Sequence, residues 1–284
     1  MMRPAFFVLI LAWVAITLSG CGDSNKEDES GATTEEMKRD WPLVPTDSVR
    51  IISLPTPMQV PALLRNTRAT YNKEILFPIE HTDRSFFKSN VLFGTYLIDM
   101  AYTGSFGDQQ ATMEYFTTCK ILGDNMGLGM TMDRDFADRF TENIAKPDSL
   151  GRTILELYEL GHHYFRDQDK EGIGLLMIMG CLFEGLHLGF AQAREHDLIL
   201  FIHILSQQKQ YTENLIYALD GYEIPAELQY EYEQLVKLDQ LFMKLNPPSA
   251  YELKTGQVLA TEINEVVLSE IETVVKDFRA SIAI

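Results

Sequence analysis

The chain has 284 residues, 46% of them hydrophobic, and its 41 acidic side chains outnumber 24 basic ones to give a net charge of −17. That balance excludes nucleic acid as the partner, since phosphates demand Lys and Arg. It also argues against adhesion of the folded body to anionic lipid.

The first segment reads as a bacterial lipoprotein signal. Arg3 supplies a small positive region, and the apolar run from Ala5 to Thr17 (AFFVLILAWVAIT) is too short for an ordinary membrane span. Leu18-Ser19-Gly20-Cys21 resembles a lipobox, with Cys21 as the residue that would carry the lipid. An ordinary secretory peptide cut after the same small residues is the alternative. On the lipoprotein reading, residues 1–20 are a signal peptide, 21–45 a lipidated acidic tether and 46–284 the folded domain. Within the tether, Lys26-Glu27-Asp28-Glu29 reads either as a surface-export signal or as a solvated charge run. The expected address is the outer membrane, on its periplasmic or its surface-exposed side.

Pro45, Pro55, Pro57 and Pro61 around Val49-Arg50-Ile51-Ile52 predict an extended arm. It ends at a helix start, with Thr56 as cap and Pro57 in the first turn. Beyond it, apolar residues recur at helical spacing: Phe87, Val91, Gly94, Ile98 and Ala101; Ile154, Leu157, Tyr158, Gly161 and Phe165; Leu228, Tyr232, Leu235, Leu238, Phe242 and Leu245; Ile263, Val267, Ile271, Val274, Phe278 and Ile282. Gly107-Asp108, Gly127-Leu128-Gly129, Lys146-Pro147-Asp148, Gly221 to Pro225 and Asn246-Pro247-Pro248 punctuate them. No alternating strand is convincing. The expectation is an all-α fold, a helical bundle or array of antiparallel hairpins with about nine or ten helices. Residues 173–193 are apolar nearly all round; Glu184 and His187 make a membrane span costly, so they read as a central core helix. Gly180, Gly185 and Gly189 would let its neighbours approach closely. Cys119 and Cys181, both inside helices, read as buried free thiols packing as small hydrophobes, with a disulfide as the alternative in an oxidising compartment.

The sharpest candidate for chemistry is a pair of Glu-x-x-His motifs, Glu159 with His162 and Glu184 with His187. Positions i and i+3 share a helix face, and ferritin-like bundles use two such pairs to hold metal. A hairpin turning near Gln168 would, however, offset the two motifs by roughly 9–10 Å along the axis. Glu184 and His187 then read better as polar groups satisfied in or at the rim of the core, and no metal or other cofactor is expected. Asp167-Gln168-Asp169-Lys170-Glu171-Gly172 resembles the opening of a calcium loop, but its twelfth position is Ile178 rather than Glu. A helix–helix turn with Asp169 at the start of the next helix explains the same residues. His196 and His203, seven apart on one expected helix face, fit a ligand pair poorly. Tyr96, Tyr102, Tyr115, Phe116, Tyr158, Tyr164, Tyr211 and Tyr217 fall on or beside the helix stripes. Core is the first reading for them and a sugar-stacking groove the second.

Three stretches carry a resemblance: LPTPMQVPALLRNTRATYNKEIL at 54–76, FGTYLIDMAYTGSFGDQQATMEYF at 93–116 and GLLMIMGCLFEGLHLGFAQA at 174–193. Together they resemble a group of all-helical lipoproteins of uncharacterised function from Bacteroidota. The resemblance implies an all-α envelope lipoprotein and brings no activity or catalytic residue with it. The expected function is a non-enzymatic binding or scaffolding protein, anchored to the membrane by its N-terminal lipid and engaging an envelope protein or a small ligand. The alternatives are capture of a small molecule or glycan, and a metal-dependent enzyme built on the Glu-x-x-His residues.

Overall fold

The computed structural model describes residues 53–66, 69–79, 85–248, 250–256 and 264–283. The expected signal peptide, Cys21, the tether and the first part of the arm lie outside these residues. All the described residues fall within one compact unit, Asp40–Ile284.

Local chemistry sets the helix ends. Helix α1 (Gln59–Arg65) follows the arm. The hydroxyl of Thr56 does not cap it: the Thr56 amide instead donates to Gln59 Oε1 at 3.0 Å. Helix α2 (Phe86–Phe106) starts where Ser85 accepts from the Lys88 amide, and stops at Gly107, whose φ of 82° is a left-handed conformation that glycine adopts without strain. Asp108 then caps α3 (Gln109–Met126), which ends in the same way at Gly127. Asp133 caps α4 (Arg134–Asn143), and Pro147 opens α5 (Pro147–Asp167) at a position whose missing N–H costs nothing.

The turn after α5 is tighter than a calcium loop. Asp169 takes a positive φ, Lys170 stands at the N-cap without a side-chain cap, and helix α6 (Glu171–Leu188) begins one residue later. Ile178 is buried inside α6. The long apolar segment is not one uninterrupted α-helix, because α6 passes into a π-turn, Gly189–Ala193, and a last α-turn, Arg194–His196. Asp197 caps a new helix, α7 (Leu198–Leu219). His196 and His203 therefore stand on different elements rather than on one helix face. Helices α8 (Gln229–Leu245), α9 (Ala250–Thr255) and α10 (Glu265–Ile282) complete the order. The described residues contain helices, turns and loops and no strand, so the all-α expectation holds.

Helices α2 and α6 form the centre and share the most extensive contact, with α3 and α5 also against α2, α7 against α6, and α8 paired with α10. In the most apolar 18-residue stretch of Glu171–Ala193, 94% of the residues are buried within the protein, which makes it a core helix. Glycines permit the central crossing. A Cβ on Gly94 would lie 1.8 Å from the carbonyl oxygen of Met177, and one on Gly180 would lie 2.0 Å from that of Val91. Backbone meets backbone there, so no side chain can yield. Cys119 and Cys181 are both buried free thiols, and the Cys181 thiol donates to Gly94 O at 3.4 Å.

Candidate functional site

The residues that invite a chemical reading lie under an irregular segment, Ala69–Ile79, which contains only one 3₁₀ turn, Lys73–Ile75. A segment without a ladder or helix of its own must find partners for its backbone elsewhere. Here they are side chains from the bundle. Tyr102 OH accepts from the Asn72 amide at 3.1 Å. Ile75 O accepts from His187 Nε2 at 2.8 Å and from Arg279 Nη2 at 3.1 Å. The Phe77 amide donates to Asp99 Oδ2 at 2.8 Å, and Phe77 O accepts from Tyr115 OH at 2.6 Å. Tyr96 OH donates to Pro78 O at 3.1 Å. The segment is thus a strap, sewn to α2, α3, α6 and α10 by polar side chains beneath it.

An ion pair lies at the centre of this attachment. Arg279 of α10 grips Glu184 of α6 with two bonds, Nε to Oε2 at 2.8 Å and Nη2 to Oε1 at 3.1 Å. The Glu184 side chain has no exposed surface and that of Arg279 is 17% exposed. The neighbours in sequence hold the geometry: Phe183 and Phe278 stack face to face with ring centres 3.7 Å apart. The Arg279 guanidinium also lies over the ring of Phe77, 5.2 Å from its centre. Asp99 of α2 is the second carboxyl of the cluster, fully buried beside Glu184. Burial first, and the Glu184 charge second, hold it well above the ordinary carboxyl value. Burial likewise holds His187 below the ordinary imidazole value. The neutral ring then carries its proton on Nε2, as donation to a carbonyl requires.

The two Glu-x-x-His pairs do not share a site. A Cβ on Gly174 would stand 3.2 Å from His162 Nδ1, and one on Gly161 lies 3.5 Å from Met177 Sδ, which fixes the level of α5 against α6. Glu159 is therefore level with the region of Met177, and Glu184 lies about 10 Å further along α6. Glu159 points to solvent, whereas Glu184 is buried. Both oxygens of Glu184 are spent on Arg279, and His187 Nε2 is spent on Ile75 O. This is an ion-pair cluster fastening a backbone, not a set of open ligand positions. His162 is half-buried with Nδ1 unpartnered, and burial lowers its proton affinity. Among the described residues no group of three or more His, Cys, Asp and Glu converges as a metal set would.

Sequence reasoning missed Asp99, Arg279 and the strap. Asp99 left a trace, a lone acid inside the apolar run LFGTYLIDMAY. Arg279 left none, since an Arg near the end of an amphipathic helix is ordinary. Most of the aromatic residues are core: Tyr96, Tyr102, Tyr115, Phe116, Tyr158 and Tyr211 are buried. The hydroxyls of Tyr96, Tyr115 and Tyr158 are spent on main-chain carbonyls of the strap and arm. At the surface, a shallow groove of about 560 Å³ runs along α3, lined by Ile79, Gln110, Met113, Glu114, Thr117 and Thr118, without an aromatic ring.

No protein family, curated protein or solved structure matches the chain.

Proposed function

We propose that the protein is a lipid-anchored component of the bacterial cell envelope that binds or scaffolds a partner rather than carrying out a reaction. The carrying observation is the N-terminal pattern: Arg3, the short apolar run to Thr17, and Cys21 directly after Leu18-Ser19-Gly20. It makes Cys21 the attachment point and residues 22–45 a tether that, as a coil, would reach roughly 25–30 Å. The body supports a binding rather than a catalytic role. Its conspicuous acid, base and cation, Glu184, His187 and Arg279, are all engaged with one another or with Ile75 O.

The test is metabolic labelling with a clickable palmitate analogue in a bacterium that lipidates exported proteins, followed by fractionation. The wild-type chain is expected to take up label and sediment with membranes, and Cys21→Ser to do neither. A wild-type protein released unlabelled into the soluble envelope fraction would leave the ordinary secretory reading. Crosslinking from the anchored protein then identifies what it holds.

A further inference from the structure

Asp99 and Glu184 present two carboxyls to each other but only one guanidinium. Both Glu184 oxygens already accept from Arg279. Asp99 Oδ2 accepts the Phe77 amide, while Asp99 Oδ1 is buried with no donor in reach. The Glu184 carboxylate lies beside it. Two acceptors cannot bond to each other unless one bears a proton. With a proton on Asp99 Oδ1, donated to Glu184, every oxygen is satisfied and the buried cluster is neutral.

We propose that Asp99 keeps a bound proton against the Glu184 carboxylate, and that this proton latches the Ala69–Ile79 strap to the bundle, so that the strap opens more readily as pH rises above neutrality. Opening breaks the Phe77 N–H to Asp99 bond and admits water. Asp99 then ionises and its proton passes to solvent. Closing must take that proton back, or else bury a second carboxylate against a single cation.

The surrounding groups fix the pH window in which this is visible. Arg279 on α10, with Lys276 one turn before it, supplies the positive side, and the neighbouring His187 on α6 is neutral. Tyr71 of the strap, Tyr102 of α2, and Tyr115 and Cys119 of α3 also face Asp99. Burial pushes these phenols and this thiol up, so in the closed form they stay protonated through pH 9. Cys119 sits on α3 rather than on the strap and stays buried when the strap lifts. Once open, the phenols ionise only near about 10, and His187 is neutral in both forms above about 7. Below that, opening lets His187 take up a proton while Asp99 releases one, and the two effects oppose. Between pH 7 and 9 only Asp99 changes its proton count.

The experiment is amide hydrogen exchange on the full-length protein in mild detergent, reading Phe77 and its strap neighbours at pH 7, 8 and 9. Corrected for intrinsic exchange, the opening constant in the wild type is expected to rise with pH, by at most about tenfold per unit, the limiting slope for loss of one proton. Asp99→Asn keeps an acceptor for the Phe77 amide and donates an amide hydrogen to Glu184 without needing a proton, so its opening constant is expected to be flat. Glu184→Gln leaves one carboxylate for one guanidinium and is expected to flatten the slope independently. A flat wild type, or a wild-type slope retained in either variant, would overturn the latch.

Discussion

Replacing Gly180 by alanine tests the central packing most directly. The new Cβ would stand 2.0 Å from Val91 O and 3.0 Å from both Thr95 N and Val91 C. Carbon and oxygen without a bond need roughly 3.3 Å, so α2 and α6 would have to part by about 1.3 Å. Both helices are buried on nearly every side, and parting them also opens voids against α3, α5 and α7. Overpacking of this kind costs about 1–3 kcal/mol, more where nothing flexible can yield. Alanine's better helix propensity returns about 1 kcal/mol. The net expectation is a loss of about 2 kcal/mol or more, read by urea unfolding followed by circular dichroism. Gly161→Ala is the control, because its Cβ meets only side chains at ordinary contact distance, Met177 Sδ at 3.5 Å and Leu128 Cδ1 at 3.8 Å. It should be neutral or stabilising by up to about 1 kcal/mol. If Gly180→Ala unfolds within 1 kcal/mol of the wild type, or Gly161→Ala is equally harmful, the close-crossing argument is wrong.

Three further outcomes are expected. Arg279→Leu strands Glu184 as a buried anion and unfastens Ile75 O, which should cost about 3–5 kcal/mol in urea unfolding; adding Glu184→Leu should recover part of that loss, and failure to recover any would show that the pair is not the cause. His187 has a depressed folded value. Its contribution is therefore complete above the ordinary imidazole value near 6.5 and is lost as pH falls through the depressed one. His187→Gln, which still offers a donor to Ile75 O, should lose less melting temperature than the wild type between pH 7.5 and 5, and an identical loss would count against this assignment. The thiols of Cys119 and Cys181 are buried, and burial raises both; a thiol reagent at pH 8 should modify neither until urea unfolds the chain, and prompt labelling of the native protein would contradict their packing.

Much of the fold could be read directly along the chain, because helices are written in local periodicity and their ends in local chemistry. The stripes ending in Phe165, Leu245 and Ile282 name core positions. Gly107, Gly127 and Asn246 mark stops where the backbone turns left-handed. The hairpin turn at Gln168 and the offset between the Glu-x-x-His pairs also follow, since rise per residue converts position into distance. What remained hidden depends on helix neighbours far apart in sequence. Gly94 reads as one more residue of a stripe until α6 is laid against it, when it becomes half of a backbone contact. Glu184 and His187 look like ligands for as long as Arg279, ninety-five residues away, has no place in space. Asp99 looks like an isolated defect until Glu184 and the Phe77 amide meet it. Periodicity determines which face of each helix is buried; only the packed structure decides which polar groups share that interior, because their partners are chosen by proximity in three dimensions and carry no signal in local spacing.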